Sequence, residues 1–196
     1  MSTAQPPLNG NKENRSDFAM RITRSFGPPG MIVVSGHVLQ GCVSKGQVVE
    51  WVSDYARQHT TCLGIFLNNV EKEQACESSA EVDIYLPLSV SEPLRGSLLA
   101  TPETVSLYAR FMGDLEASAV LNNNARAELL FPTYVVTAEI RLPDGQENLQ
   151  PEDRVEGAEF RLVRPSTLRA GEIFAIRLNG RLVGTGTIKT LTDRNA

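Results

Sequence analysis

From Asp17 onward, apolar positions come in short aliphatic or β-branched runs broken by turn-forming residues, the rhythm of strands and not of helices. The first series comprises Phe18 to Phe26, Met31 to Leu39, Gln47 to Val52, Thr60 to Leu67 and Val82 to Leu88. Gly27-Pro28-Pro29-Gly30, Gly41, Lys45-Gly46 and Asn68-Asn69 punctuate it, and this spacing predicts a sandwich or barrel. After Ala100-Thr101-Pro102 comes a second series: Val105 to Met112, Ala127 to Leu142, Val155 to Val163, Ile173 to Leu178 and Leu182 to Leu191. Pro132 has no amide hydrogen, so it predicts an edge position or a bulge within Ala127 to Leu142. Asn179-Gly180 between two alternating runs predicts a closing hairpin, because both central residues of a type I′ turn need positive φ. Nothing reads as a long helix, and Val70 to Ser79 is assigned one or two helical turns at most.

The pattern divides the chain into two all-β units, residues 17–102 and 103–192. Residues 1–16, rich in Pro, Asn, Ser and Gln, are expected to form a disordered tail, and 193–196 a short terminal one. The loop expected over Gly113 to Asn124, with its Asn122-Asn123-Asn124 tip, is a candidate contact surface.

Charge narrows the function classes. With 19 basic and 23 acidic residues the net charge is −4, which argues against a surface that is basic throughout. Only Lys12, Lys45, Lys72 and Lys189 are lysine; the other 15 basic residues are arginine, whose fork suits phosphate or carboxylate. Cys42, Cys62 and Cys76 cannot all pair and no CxxC or Cys/His cluster accompanies them, so neither a disulfide framework nor a metal site is expected. A reducing, cytoplasmic setting follows, since no membrane segment or leader pattern is present.

Catalytic chemistry has little to build on. His37 and His59 are the only histidines, GxSxG and HExxH are missing, and Gly36-His37-Val38 lacks the GxxxxGK[ST] frame of a phosphate loop. No catalytic residues, cofactor or GTP binding are assigned.

The segment Gly171 to Ile188, GEIFAIRLNGRLVGTGTI, resembles the C-terminal hairpin of the elongation factor Tu family. Val34-Ser35-Gly36, Gly41, Val43, Lys45-Gly46, Val49-Glu50, Thr60-Thr61-Cys62, Gly64-Ile65, Arg95-Gly96 and Leu99 to Pro102 are similar to that family's second domain. The resemblance spans about Phe18 to Leu191 and implies two consecutive antiparallel β-barrels: a translation-factor barrel, then an elongation factor Tu C-terminal-like barrel. The family's nucleotide-binding domain has no counterpart in it.

In the family the first of these barrels holds the aminoacyl end of tRNA. The matching positions here are Thr23, Arg24, Phe66 and Glu81, where the family carries an acidic pair, a glutamate and an asparagine, so the resemblance implies a degenerate pocket plugged by Phe66. The second barrel docks the T stem, and Thr137, Arg164, Arg177, Asn179 and Arg181 are the corresponding RNA-binding candidates. Arg164, Arg177 and Arg181 could equally ion-pair with Glu159 or Glu172. The expectation is a non-catalytic platform for tRNA or other translation-machinery RNA; the alternative is a protein-interaction or structural module of a larger complex.

Overall fold

The computed structural model describes residues 17–27, 30–78, 80–87 and 95–195; the tail expected over 1–16 lies outside them. No helix occurs among the described residues. In chain order the strands of the first half are β1 (Ala19–Phe26), β2 (Met31–Gln40), β3 (Cys42–Ser44), β4 (Val48–Val52), β5 (Arg57–Thr61), β6 (Gly64–Leu67), β7 (Val70–Lys72), β8 (Gln74–Cys76), β9 (Val82–Pro87) and β10 (Leu98–Ala100). The second half holds β11 (Leu107–Ala117), β12 (Leu121–Asn122), β13 (Ala125–Leu130), β14 (Val135–Arg141), β15 (Asn148–Leu149), β16 (Arg154–Ser166), β17 (Ile173–Leu178) and β18 (Arg181–Asn195).

The first half forms an eight-stranded sheet in the order β5-β4-β10-β1-β2-β9-β6-β7. Strands β5 and β6 stand six places apart in that order, about 29 Å in a flat sheet, yet only Cys62 and Leu63 join them, a reach of about 11 Å. The sheet therefore curls into a half-barrel, and the Leu63 amide bonds to the Tyr85 carbonyl at 2.8 Å on β9. Gly36 makes the tightest approach, since a Cβ there would lie 2.2 Å from the Arg21 carbonyl oxygen. Met20, Ile22, Val34, Ile65, Ile84 and Leu99 fill the curl.

The second half closes. Its barrel runs β11-β16-β14-β13-β17-β18, with β18 paired to both β17 and β11. Alternation sorts the side chains: on β14, Val136, Ala138 and Ile140 point in while Thr137, Glu139 and Arg141 point out. Four phenylalanines pack the interior, with Phe111 stacked on Phe160 at 4.6 Å and Phe174 edge-on to both. The hydrophobic core thus falls into two clusters, one drawn from each half.

Several local expectations change. Ala127 to Leu142 is a hairpin and not one long strand, because Pro132 sits in the turn, where no ladder donor is needed, closed by the Phe131 amide bonding the Tyr134 carbonyl at 2.9 Å. Of the segment expected to be helical, Val70 to Ser78 is not: Asn68 and Asn69, at φ 51° and 63°, turn β7 back along β6, and β8 then pairs with β3. That second pairing sets Cys42 opposite Cys76 and the two are disulfide-bonded, against the expectation that these cysteines form no disulfide framework. Cys62 remains a thiol, buried, with its pKa pushed up to about 11 by that burial. Much of the loop expected over Gly113 to Asn124 is strand, since β11 continues to Ala117. The Asn179-Gly180 hairpin forms as expected, at φ 50° and 80°. Strand β18 runs on to Asn195, past the expected end at Leu191.

Candidate functional site

Three of the four degenerate-pocket positions meet. Strand β1 carries a bulge at Thr23 and Arg24, opposite Ser35 of β2, and the extra residue lets adjacent side chains reach one partner. The Thr23 hydroxyl donates to Glu81 at 2.6 Å and the Arg24 guanidinium pairs with the other Glu81 oxygen at 3.0 Å. Ser35 donates to Asp83 at 2.5 Å and accepts from Arg24 at 3.0 Å. Phe66 is the cross-strand partner of Asp83 and packs on Tyr85 with ring centroids 4.7 Å apart. These groups satisfy one another, leaving the cluster's polar atoms internally paired.

The RNA-binding candidates spread along the closed barrel. Thr137, Glu128 and Arg177 occupy one row across β14, β13 and β17. Glu128 is the ion-pair partner of Arg177, at 2.6 Å, in place of the expected Glu159 or Glu172. That guanidinium holds the Glu128 carboxyl below the usual carboxylate range. Glu159 is taken by Arg161 and Arg110, and Glu172 by Arg21. Asn179 and Arg181 lie at the exposed tip of the β17–β18 hairpin. Arg164 hydrogen-bonds the Tyr55 hydroxyl and stacks 4.8 Å over its ring, and it shares with Thr137 a cavity of about 280 Å³.

Sequence reasoning missed an arginine-bearing wall. Arg126 of β13, Glu139 of β14, Arg161 of β16 and Arg110 of β11 stand opposite one another across four strands. The next outward row sets Arg141 against Glu159. Together with Arg177 and Glu128, these rows carry five arginines against three glutamates, and Arg126 makes no ion pair among the described residues. Its signal is visible: Arg126/Glu128, Glu139/Arg141 and Glu159/Arg161 each place charges two residues apart, on one side of a strand.

Other arginines join the two halves. Buried Arg21 donates to the Gly96 carbonyl at 3.0 Å, to the Thr167 hydroxyl at 2.7 Å and to Glu172 at 3.0 Å, and lies 4.6 Å over the Tyr134 ring. Tyr134 donates to the same Glu172 at 3.0 Å, and burial raises its pKa. Arg57 bonds the Val105 carbonyl at 2.7 Å and pairs with buried Glu50, which accepts the Glu103 amide at 3.1 Å. Part of the arginine bias thus serves this seam, where a planar fork clasps several acceptors at once.

His37 is exposed and His59 lies 3.8 Å from Glu50 on the open sheet. Among the described residues no group of three or more His, Cys, Asp or Glu is placed to hold a metal ion, and no helix is long and apolar enough to cross a membrane. No protein-family model matches the chain.

Proposed function

We propose that this chain acts by binding and not by catalysis, as a relative of the two-barrel portion of elongation factor Tu that holds tRNA or other translation-machinery RNA. In this reading the curled first sheet corresponds to the family's second domain and the closed barrel to its third. The observation that carries it is the set of cross-strand rows on the outer wall, where five arginines and three glutamates give a local positive surplus on a chain of net charge −4. Such a face contacts phosphate without reading sequence. The internally paired Thr23-Arg24-Glu81 cluster supports loss of ordinary aminoacyl-end recognition.

Filter binding with deacylated and aminoacylated tRNA over a salt series tests the proposal. Deacylated and charged tRNA should bind alike, most tightly at low salt, and a double variant with Arg126→Glu and Arg161→Glu should lower both affinity and the salt slope. Absence of binding at low salt would overturn it. A second reading, a protein-interaction module, draws on β5 and β7 as the terminal strands of the first sheet among the described residues and on exposed Val48, Leu63 and Val70 on the first half. Co-purification of RNA-free protein partners from native cells, identified by mass spectrometry, would favour it.

A further inference from the structure

Residues 68–78 form a ribbon that returns along the open sheet: the Asn68-Asn69 turn, then β7 against β6 and β8 against β3. Each pairing is three residues long. Every residue of β7 is exposed, as are Gln74 and Cys76 of β8. Among the described residues, half-buried Ala75 is the one side chain of the ribbon that packs against the core of the first half. The other holds are polar: an ion pair between the exposed side chains of Lys45 and Glu71 at 2.5 Å, the Lys45 amide on the Glu73 carbonyl at 2.9 Å, and the Glu77 amide on the Gly41 carbonyl at 3.2 Å. Solvent screens such an ion pair, and a segment that buries so little apolar surface opens at low free energy.

The strongest hold on the ribbon is therefore the Cys42–Cys76 bond, and it is reachable. Cys76 is exposed and Cys42 half-buried, whereas the remaining thiol, Cys62, is buried in the core of the first half. Thiol–disulfide exchange requires a thiolate to approach a disulfide sulfur, so access decides which bond reacts. Here the access lies at the surface of a ribbon that contributes little to either core, so the bond can be cut with the cores intact.

We propose that the Cys42–Cys76 bond is a redox latch: a dithiol reductant opens it in the native protein and releases the ribbon from β3 and β6 while both halves stay folded. The reductant's thiolate attacks the exposed Cys76 sulfur, giving a mixed disulfide and a Cys42 thiolate that takes up a proton. Its second thiol, as thiolate, then displaces Cys76, which is protonated in turn, and the reductant leaves as its own disulfide. Two electrons thus pass from the dithiol to the latch. Release removes β7 from β6, so the backbone of β6 becomes a sheet edge open to a further strand.

Treating the native full chain with dithiothreitol, then alkylating with iodoacetamide, tests this, followed by mass spectrometry, Trp51 fluorescence and peptide-resolved hydrogen exchange. Cys42 and Cys76 should be alkylated and Cys62 should not. Exchange across residues 68–78 should quicken by at least about tenfold, with Trp51 fluorescence and the exchange of the closed barrel unchanged. The double variant Cys42→Ser, Cys76→Ser should show the fast ribbon exchange without reductant, and oxidised glutathione should restore protection to the reduced wild-type chain. A bond that resists dithiothreitol until denaturant is added, or a ribbon equally protected after reduction or in the variant, would overturn the proposal. So would loss of the native Trp51 fluorescence on reduction, because the bond would then hold the whole first half and not the ribbon alone.

Discussion

The wall from Leu107 to Asn195 closes on itself, whereas the sheet from Ala19 to Ala100 ends at β5 and β7, each with a strand neighbour on one side only among the described residues. The difference extends to where charge is placed. In the open half Arg21 and Glu50 are buried; in the closed half the buried polar residues are Ser166 and Thr167, and Arg126, Glu128, Glu139, Arg141, Glu159 and Arg161 stand on the outer wall. A closed barrel satisfies its backbone around the ring, so its interior can be wholly apolar and its exterior is free for charge. An open sheet needs clips, and here they are the Cys42–Cys76 bond between β3 and β8 and the arginine seam.

The largest expected effect lies in the closed core. Phe174 is 1% exposed and meets Phe111, Phe131 and Phe160, so Phe174→Ala should destabilise the barrel by about 3–5 kcal/mol, read as a shift of the far-ultraviolet dichroism transition in urea. Arg21→Ala comes next. It leaves Glu172 partly buried without its cation and the Thr167 hydroxyl without its donor, a loss of about 3 kcal/mol. Trp51, the only tryptophan, belongs to the open half, so its fluorescence follows that half alone. If the seam couples the halves, Arg21→Ala should separate the fluorescence and dichroism midpoints, and coincident midpoints would show the seam to be dispensable.

Replacing both Cys42 and Cys76 by serine should cost about 2–4 kcal/mol, seen in the Trp51 transition, because the bond closes a loop across a sequence separation of 34. Thiol titration of the unreduced, denatured protein should find one reactive cysteine, Cys62; three would break the contrast between a clipped sheet and a self-closed barrel.

The strands themselves were legible because one-faced burial writes a period of two, and the Asn179-Gly180 hairpin could be read because positive φ restricts which residues fit, whereas the segment after Asn68-Asn69 was read as helical turns although it returns as strand β7. Thr23, Arg24 and Glu81 also meet as a single cluster, though the bulge that lets Thr23 and Arg24 reach the same carboxylate leaves no mark in the local sequence. Long-range register was not legible. Cys42 pairs with Cys76 only because β8 returns beside β3, and Arg21 reaches a residue 146 positions away. Pro132 was read as a defect in a strand when it marks the turn between two, since alternation continues across a hairpin whose strands share one core. The arginine surplus was visible in composition, but dividing it between seam and outer wall needs the tertiary structure.

The smallest effect concerns Arg177 and Glu128, the exposed counterpart of the buried Arg21–Glu172 pair. The Arg177 hydrogen bond, at 2.6 Å, lowers the Glu128 pKa by favouring the charged carboxylate, outweighing the opposing desolvation. Because the folded carboxyl binds its proton less readily than the unfolded one, the pair's contribution is complete above the unfolded value and disappears as pH falls through the folded one. Arg177→Ala should therefore return Glu128 to an ordinary carboxylate pKa, followed by carbon-detected NMR through acid titration. At neutral pH the denaturation midpoint should barely move, because solvent screens the charges and both side chains lose freedom in pairing. A Glu128 pKa that stays low in the variant would assign the shift to the neighbouring Arg126 and to the wall as a whole. A denaturation loss as large as that of Arg21→Ala would erase the distinction between charge that joins the halves and charge displayed to a partner.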